Sequence, residues 1–179
     1  MKSVYYSCIP SPLDELMMTS NGSALTGLYM TPHQFDTEVS EAWVRQDDLP
    51  IFQHTYYQLS RYFEGMLTQF NLEFDLVGTE FQKRVWEELV KIPFGTTISY
   101  GDLAKRLGDN KASRAVGLAN GRNPISIIVP CHRVIGANGS LTGYGGGLAR
   151  KQALLSFESV VRNLGSQPFA EAIERRMLM

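Results

Sequence analysis

Apolar residues in the first half of the chain change their period several times, and each change marks an element. Residues 15–30, ELMMTSNGSALTGLYM, place Asn21-Gly22 between two apolar-rich segments. A dipeptide that tolerates positive φ in that position predicts a β-hairpin. The polar stretch TPHQFDTEVSEAWVRQDDLP reads as loop with a little helix. Pro50 then opens a segment in which Phe52, Tyr56, Leu59 and Phe63 recur at helical spacing, ended by Gly65. Phe70, Leu72, Phe74 and Leu76 alternate with polar residues, which predicts a half-buried strand.

In the second half, Thr79 and Gln82 stand as N-cap and N3 of a capping box, with Phe81, Val85 and Leu89 on one helical face and Pro93 as the stop. Ser99 and Asp102 cap a second helix that carries Leu103 and Leu107 and ends at Gly108. Asp109-Asn110 starts a third, KASRAVGLANG, so that two short helices flank a tight turn in the helix-turn-helix manner. Gly121-Arg122-Asn123-Pro124 reads as a turn and residues 125–129 as a buried strand stopped by Pro130. After the Asn138-Gly139 turn and the glycine-rich residues 143–147, a helix is predicted over 148–157 with Leu154 and Leu155 apolar. The tail FAEAIERRMLM reads as a short helix without a role.

Composition adds a division. Of 179 residues 44% are hydrophobic, enough for one ordinary domain or two small ones sharing an interface. Residues 1–79 hold three Lys and Arg against ten Asp and Glu, a balance of −7, whereas residues 80–179 hold fourteen against eight, +6. Polyanion binding therefore belongs to the second half. Two cysteines, Cys8 and Cys131, are too few for a disulfide framework, and neither a signal-type segment nor a run of membrane-spanning length is present. A soluble cytoplasmic protein is expected. Cys8, His33 and His54 read as packed or surface residues, and without CxxC or HExxH no metal and no cofactor is expected.

The chemistry-bearing stretch is Pro130-Cys131-His132-Arg133-Val134. A thiol reacts as its thiolate, so a nucleophilic cysteine needs a proton acceptor or a positive field, and His132 and Arg133 supply both. Glu158, the only acidic residue between Asp109 and Glu171, is the one local carboxylate that could orient His132. Ahead of the cysteine, residues 99–133 carry Lys105, Arg106, Lys111, Arg114, Arg122 and Arg133 against Asp102 and Asp109, a phosphate-binding balance of +4. The third helix is built from small residues, Ala112, Ser113, Ala115, Gly117 and Ala119, which let its backbone approach a partner. The glycine run lacks the Gly-Lys-Ser/Thr of a phosphate loop.

Taken in order, GTTISYGDLA, KASRAVGLANGRNPISIIVP and PCHRVIGANGSLTGYGGGLARK resemble the O6-alkylguanine-DNA alkyltransferases over roughly residues 79–158. The resemblance implies an α/β chain, with a ribonuclease-H-like α/β domain at 1–78, a mostly helical, winged helix-turn-helix-like domain at 79–164 that binds DNA and accepts the alkyl group, and a tail at 165–179. It implies irreversible transfer of an alkyl group from guanine O6, or less readily thymine O4, to Cys131. His132 would act through a water and be oriented by Glu158, Tyr100 would protonate the departing guanine, and Asn123 would tie the DNA-binding helices to the active-site strand. Arg114 would fill the space left by a flipped nucleotide while Ala112, Ser113, Ala115, Gly117 and Tyr100 meet the minor groove of double-stranded DNA. Tyr144, Val134 and Gly145 would line the alkyl pocket, and the free protein would be a monomer. Two departures stand out: Phe157-Glu158-Ser159 replaces the family's His-Glu-Gly, and the N-terminal cysteines that bind zinc in some relatives are missing. A lesion-binding module without repair and a cysteine hydrolase using Cys131, His132 and Glu158 are the alternatives; Cys131 itself argues against the first.

Overall fold

The structure, a computed structural model, describes residues 3–31 and 39–177. His33 and part of the predicted polar loop lie outside the described residues. Four strands, β1 (Tyr5–Ile9), β2 (Leu16–Ser20), β3 (Leu25–Met30) and β4 (Val44–Arg45), form a sheet in the order β3-β2-β1-β4. The β1–β2 and β2–β3 pairs are antiparallel, and β4 joins β1 in parallel. The β2–β3 hairpin turns at Asn21-Gly22 as expected, with Gly22 at φ +103 and Asn21 Oδ1 accepting from the amides of Ser23 and Ala24. β1 and β4 were not expected, because β1 lies in an N-terminal stretch with little alternation and β4 has only two residues.

Helix α1 (Pro50–Phe63) covers the chain where the spacing predicts it, yet Tyr56 is 48% exposed. The buried stripe runs through Phe52, Thr55, Leu59 and Tyr62, which leaves Tyr56 at its edge. Residues 70–76 are not a strand. Their alternation survives as half-burial of Phe70, Leu72, Phe74 and Leu76, but the segment makes a single bridge, Phe74 to Leu25 of β3. Residues 125–129 are not a strand either, since they too make one bridge to β3, at Leu28. Both corrections have one cause: the outer edge of β3 is divided between two passing segments. Leu25 exchanges bonds with Glu73 and Asp75, and Leu28 with Pro124 and Ser126, so neither segment gains a full ladder.

α2 (Glu80–Val90) begins on the predicted capping box and buries Val85, Trp86 and Leu89, while Phe81 is 37% exposed. β5 (Ile98–Ser99) leads into α3 (Tyr100–Arg106), capped by Ser99 with Asp102, and α4 (Ser113–Gly121) follows. Trp86 Nε1 donates to Ala119 O at 2.8 Å, fastening α2 to α4. β6 (Val134–Ile135) pairs in parallel with β5. α5 (Leu148–Leu164) runs well past the predicted end at 157, and α6 (Phe169–Met177) packs on it. The extension buries Val160 and Val161. The tail is part of the core: Phe169 lies 5.1 Å from Phe157 and 5.5 Å from Phe63, centroid to centroid.

Candidate active site

The site is built around a turn rather than a strand end. Asn123, just beyond α4, is buried; its Nδ2 donates to Val129 O at 2.7 Å and Ile125 O at 3.3 Å, and its Oδ1 accepts from Ile125 N at 3.0 Å. This one side chain clamps residues 125–129, where Ile127 is forced to φ +70, a left-handed conformation that β-branched residues avoid. The chain then enters a 3-10 turn, Cys131–Arg133, and β6. Asn120 Nδ2 donates to Cys131 O at 3.3 Å, so α4 holds the turn from a second point.

Cys131 is 4% exposed, and burial pushes its thiol pKa up, against a side-chain hydrogen bond from Asn123 and the charge of Lys151, which pull it down. His132 is fully buried and shares its Nε2 with Glu158 Oε1 at 2.8 Å. Burial lowers the imidazole pKa in spite of that carboxylate, so the ring is neutral near pH 7. With Nε2–H donating to Glu158, Nδ1 is the bare nitrogen; it is buried and without a partner among the described residues.

Glu158 sits within α5, not at a helix end, and is 1% exposed. Its Oε1 accepts from His132 Nε2, Arg133 Nη2 and Tyr62 Oη, each at 2.8 Å, and its Oε2 from Arg133 Nε and Gly95 N, each at 2.9 Å. Burial would raise this carboxyl, but the charges and hydrogen bonds of His132 and Arg133 hold it well below the usual carboxylate range. Gly95 reaches it at φ +70, in a place where a Cβ would stand 2.9 Å from Arg162 Cδ, so only glycine presents that amide.

Arg133 is a correction to the basic footprint. It is 5% exposed, and it bonds Glu158 through Nε and Nη2 and Ile92 O through Nη1 at 2.7 Å, so it is not available to a phosphate. Tyr62, Gly95 and Lys151 are further site residues that the sequence reading missed. Lys151 is fully buried on α5 and donates to Val134 O at 2.6 Å and Thr142 O at 2.8 Å, and burial pushes its pKa down to about 8. Tyr100 donates to the same Thr142 carbonyl at 2.7 Å and lies 3.4 Å from Lys151 Nζ; burial raises its pKa, so the hydroxyl keeps its proton.

Tyr144 and Val134 are buried and Gly145 lies within the folded glycine segment, with Tyr144 Oη 3.9 Å from Met30 Sδ of β3. Gly146 permits that packing, since a Cβ there would fall 2.8 Å from the same sulfur. Tyr100, Tyr144 and Lys151 are all in electrostatic contact with Cys131. Arg150 ties the glycine segment to the first half of the chain, bonding Gly146 O, Asp14 Oδ2 and Thr31 O.

The small-residue helix has a buried and an exposed side. Val116, Ala119 and Asn120 of α4 face inward, Arg114, Ala115 and Leu118 are exposed, and Ala112, Ser113 and Gly117 are half-buried. Leu118, 70% exposed beside Arg114, is an apolar addition to that face which the sequence reading did not single out. Among the described residues no three His, Cys, Asp or Glu side chains group to hold a metal, and no helix is long and apolar enough to cross a membrane.

Comparison with known proteins fits this geometry. Residues 4–76 match the ribonuclease-like domain, and residues 80–160 the DNA binding domain, of 6-O-methylguanine DNA methyltransferase. The chain is 51% identical to the methylated-DNA--protein-cysteine methyltransferase of Mycobacterium tuberculosis over 155 residues, 87% of this chain and 92% of that one. It is 46% identical to the protein of the same name from Methanosarcina acetivorans, covering 87% and 98%. The crystal structure of Mycobacterium tuberculosis OGT in complex with DNA superposes with a TM-score of 0.82 at 47% identity, covering 94% of this chain and 99% of that one. With both halves matched, and about half of its residues shared with a relative along most of their common length, this chain belongs to the 6-O-methylguanine DNA methyltransferase family.

Proposed function

We propose that Cys131 is the acceptor through which this protein reverses alkylation damage in DNA; alkyl-transfer repair of DNA itself follows from its family. The observation that carries the assignment is the buried order of thiol, imidazole and carboxylate, in which Glu158 fixes Nε2 of His132 and leaves Nδ1 as the acceptor. The thiol proton passes through a water to Nδ1, and the sulfur attacks the alkyl carbon on guanine O6. An S–C bond forms as the C–O bond breaks, and the electron pair leaves with the guanine, which takes a proton from Tyr100. A thioether is not cleaved by these groups, so each molecule acts once. Thymine O4 offers the same bond in a base of different shape and reacts less readily.

The target atom lies inside the duplex, so the nucleotide rotates out of the stack before the thiol can reach it. The exposed Arg114 fills the gap, and Ala112, Ser113, Ala115 and Gly117 let α4 lie close in the minor groove with Tyr100 beside it. Tyr144, Val134 and Gly145 shape the alkyl pocket, and Asn123 holds the Cys131 turn to α4. The residues divide functionally at 78/79, with the acceptor domain running to 164 and the tail packed on α5. The free protein is a monomer of the reducing cytoplasm, where Cys131 stays a thiol. The test is DNA carrying labelled O6-methylguanine: wild type takes up one label per molecule, and Cys131→Ser binds the DNA but takes up none. Label on the Ser variant overturns the assignment.

A further inference from the structure

We propose that Tyr62, on α1 in the first half of the chain, is a positioning residue for alkyl transfer: its hydroxyl shares Glu158 Oε1 with His132 and sets how basic the imidazole is. The inference rests on the roles proposed for Cys131, His132 and Glu158. Tyr62 is fully buried and 96 residues away from Glu158 in sequence, yet its Oη donates to Oε1 at 2.8 Å. Packing of its ring would not require that bond. The ring is fixed independently by edge contacts to Phe63, Phe94 and Phe157 and a tilted contact to Phe70, at 5.2 to 5.9 Å between centroids.

Oε1 accepts three donors and has about two lone-pair positions, so the three compete for its electron density. The Tyr62 hydroxyl withdraws charge that would otherwise stabilise the imidazolium. The groups that act on His132 are Glu158 and Lys151 from α5, Arg133 from its own turn and Tyr62 from α1 acting through Glu158; Cys131 is its chain neighbour. Of these, Tyr62 is the only one whose polar atom can be removed without deleting a charge or the thiol. Burial keeps the phenol protonated well above neutral pH, so it acts as a donor throughout the working range.

The experiment measures single-turnover transfer from O6-methylguanine duplex DNA at saturating protein, across pH, for wild type and Tyr62→Phe, with 15N NMR of His132 in parallel. Without the hydroxyl, the His132 titration and the acid limb of the rate profile should both move up by about 0.5 to 1 pH unit, the share of a hydrogen bond expressed as a pKa change. A second variant with 3-fluorotyrosine placed at position 62 keeps the ring and strengthens the donor, and should move both curves down. Unmoved curves in either folded variant overturn the proposal, even if the rate falls uniformly, because a packing role lowers the rate without moving the limb. Methylation of Cys131 in wild type under the same conditions separates that outcome from a failure of the underlying assignment.

Discussion

Replacing Glu158 by glutamine keeps the shape of the side chain and removes the charge on which five donors converge. Glu158 is 1% exposed and its cationic partner Arg133 5% exposed, so the substitution leaves a buried guanidinium with no counter-charge. Breaking a buried pair on one side costs about 3–5 kcal/mol. An amide NH2 in place of one oxygen also faces donors such as Gly95 N or Tyr62 Oη, and each buried donor left unpaired costs about 1–3 kcal/mol, overlapping with the first figure rather than adding to it. A loss of about 3–5 kcal/mol is expected at neutral pH, a large part of a typical total of about 5–15. The folded protein holds Glu158 below the ordinary carboxylate range, so it binds fewer protons there than the unfolded chain. The contribution is therefore full above the unfolded value of about 4.3 and fades as pH falls from there toward the lower folded value. Urea unfolding of both proteins at neutral and acidic pH reads this directly: the gap between wild type and Glu158→Gln is widest near neutrality and narrows below about pH 4. A gap under about 1 kcal/mol at neutral pH, or one that stays constant into acid, would refute the five-donor account.

Arg114→Ala should slow repair of duplex DNA far more than reaction with a free alkylated base, because only the duplex requires the nucleotide to be flipped; single-turnover rates with the two substrates decide it, and equal slowing removes the insertion role. Asn123→Ala deletes the clamp on residues 125–129, leaving Ile125 N without its acceptor and Val129 O with only the bond from Cys131 N, so chemical denaturation should show a loss of about 1–3 kcal/mol together with slower transfer. Retention of full rate with that loss would mean that the clamp serves stability alone.

Features written in local sequence were legible. The Asn21-Gly22 hairpin and the capping boxes at Thr79 and Ser99 are each decided by residues within four positions of one another. The adjacency of Cys131 and His132 is likewise local, and Glu158 could be named by elimination because few acids surround it. What failed was non-local. Residues 70–76 and 125–129 carry strand-like patterns, but a strand needs a free edge, and β3 gives each of them only one residue. Arg133 resembled a phosphate ligand by charge, and only the fold shows it turned inward onto Glu158. Helical spacing around Tyr62 does not reveal a hydroxyl partner 96 residues away, and nothing local marks Lys151, near the start of a helix, as buried. The tail looked dispensable because Phe169 finds Phe63 and Phe157 only in three dimensions.

The central claim is that Cys131 is consumed by the reaction. Mixing the protein with duplex DNA carrying O6-methylguanine, digesting it and weighing the cysteine peptides tests this most directly. One added methyl group on the peptide containing Cys131, in proportion to guanine restored and with Cys8 unmodified, is the predicted result. Restored guanine with an unmodified Cys131 would contradict it.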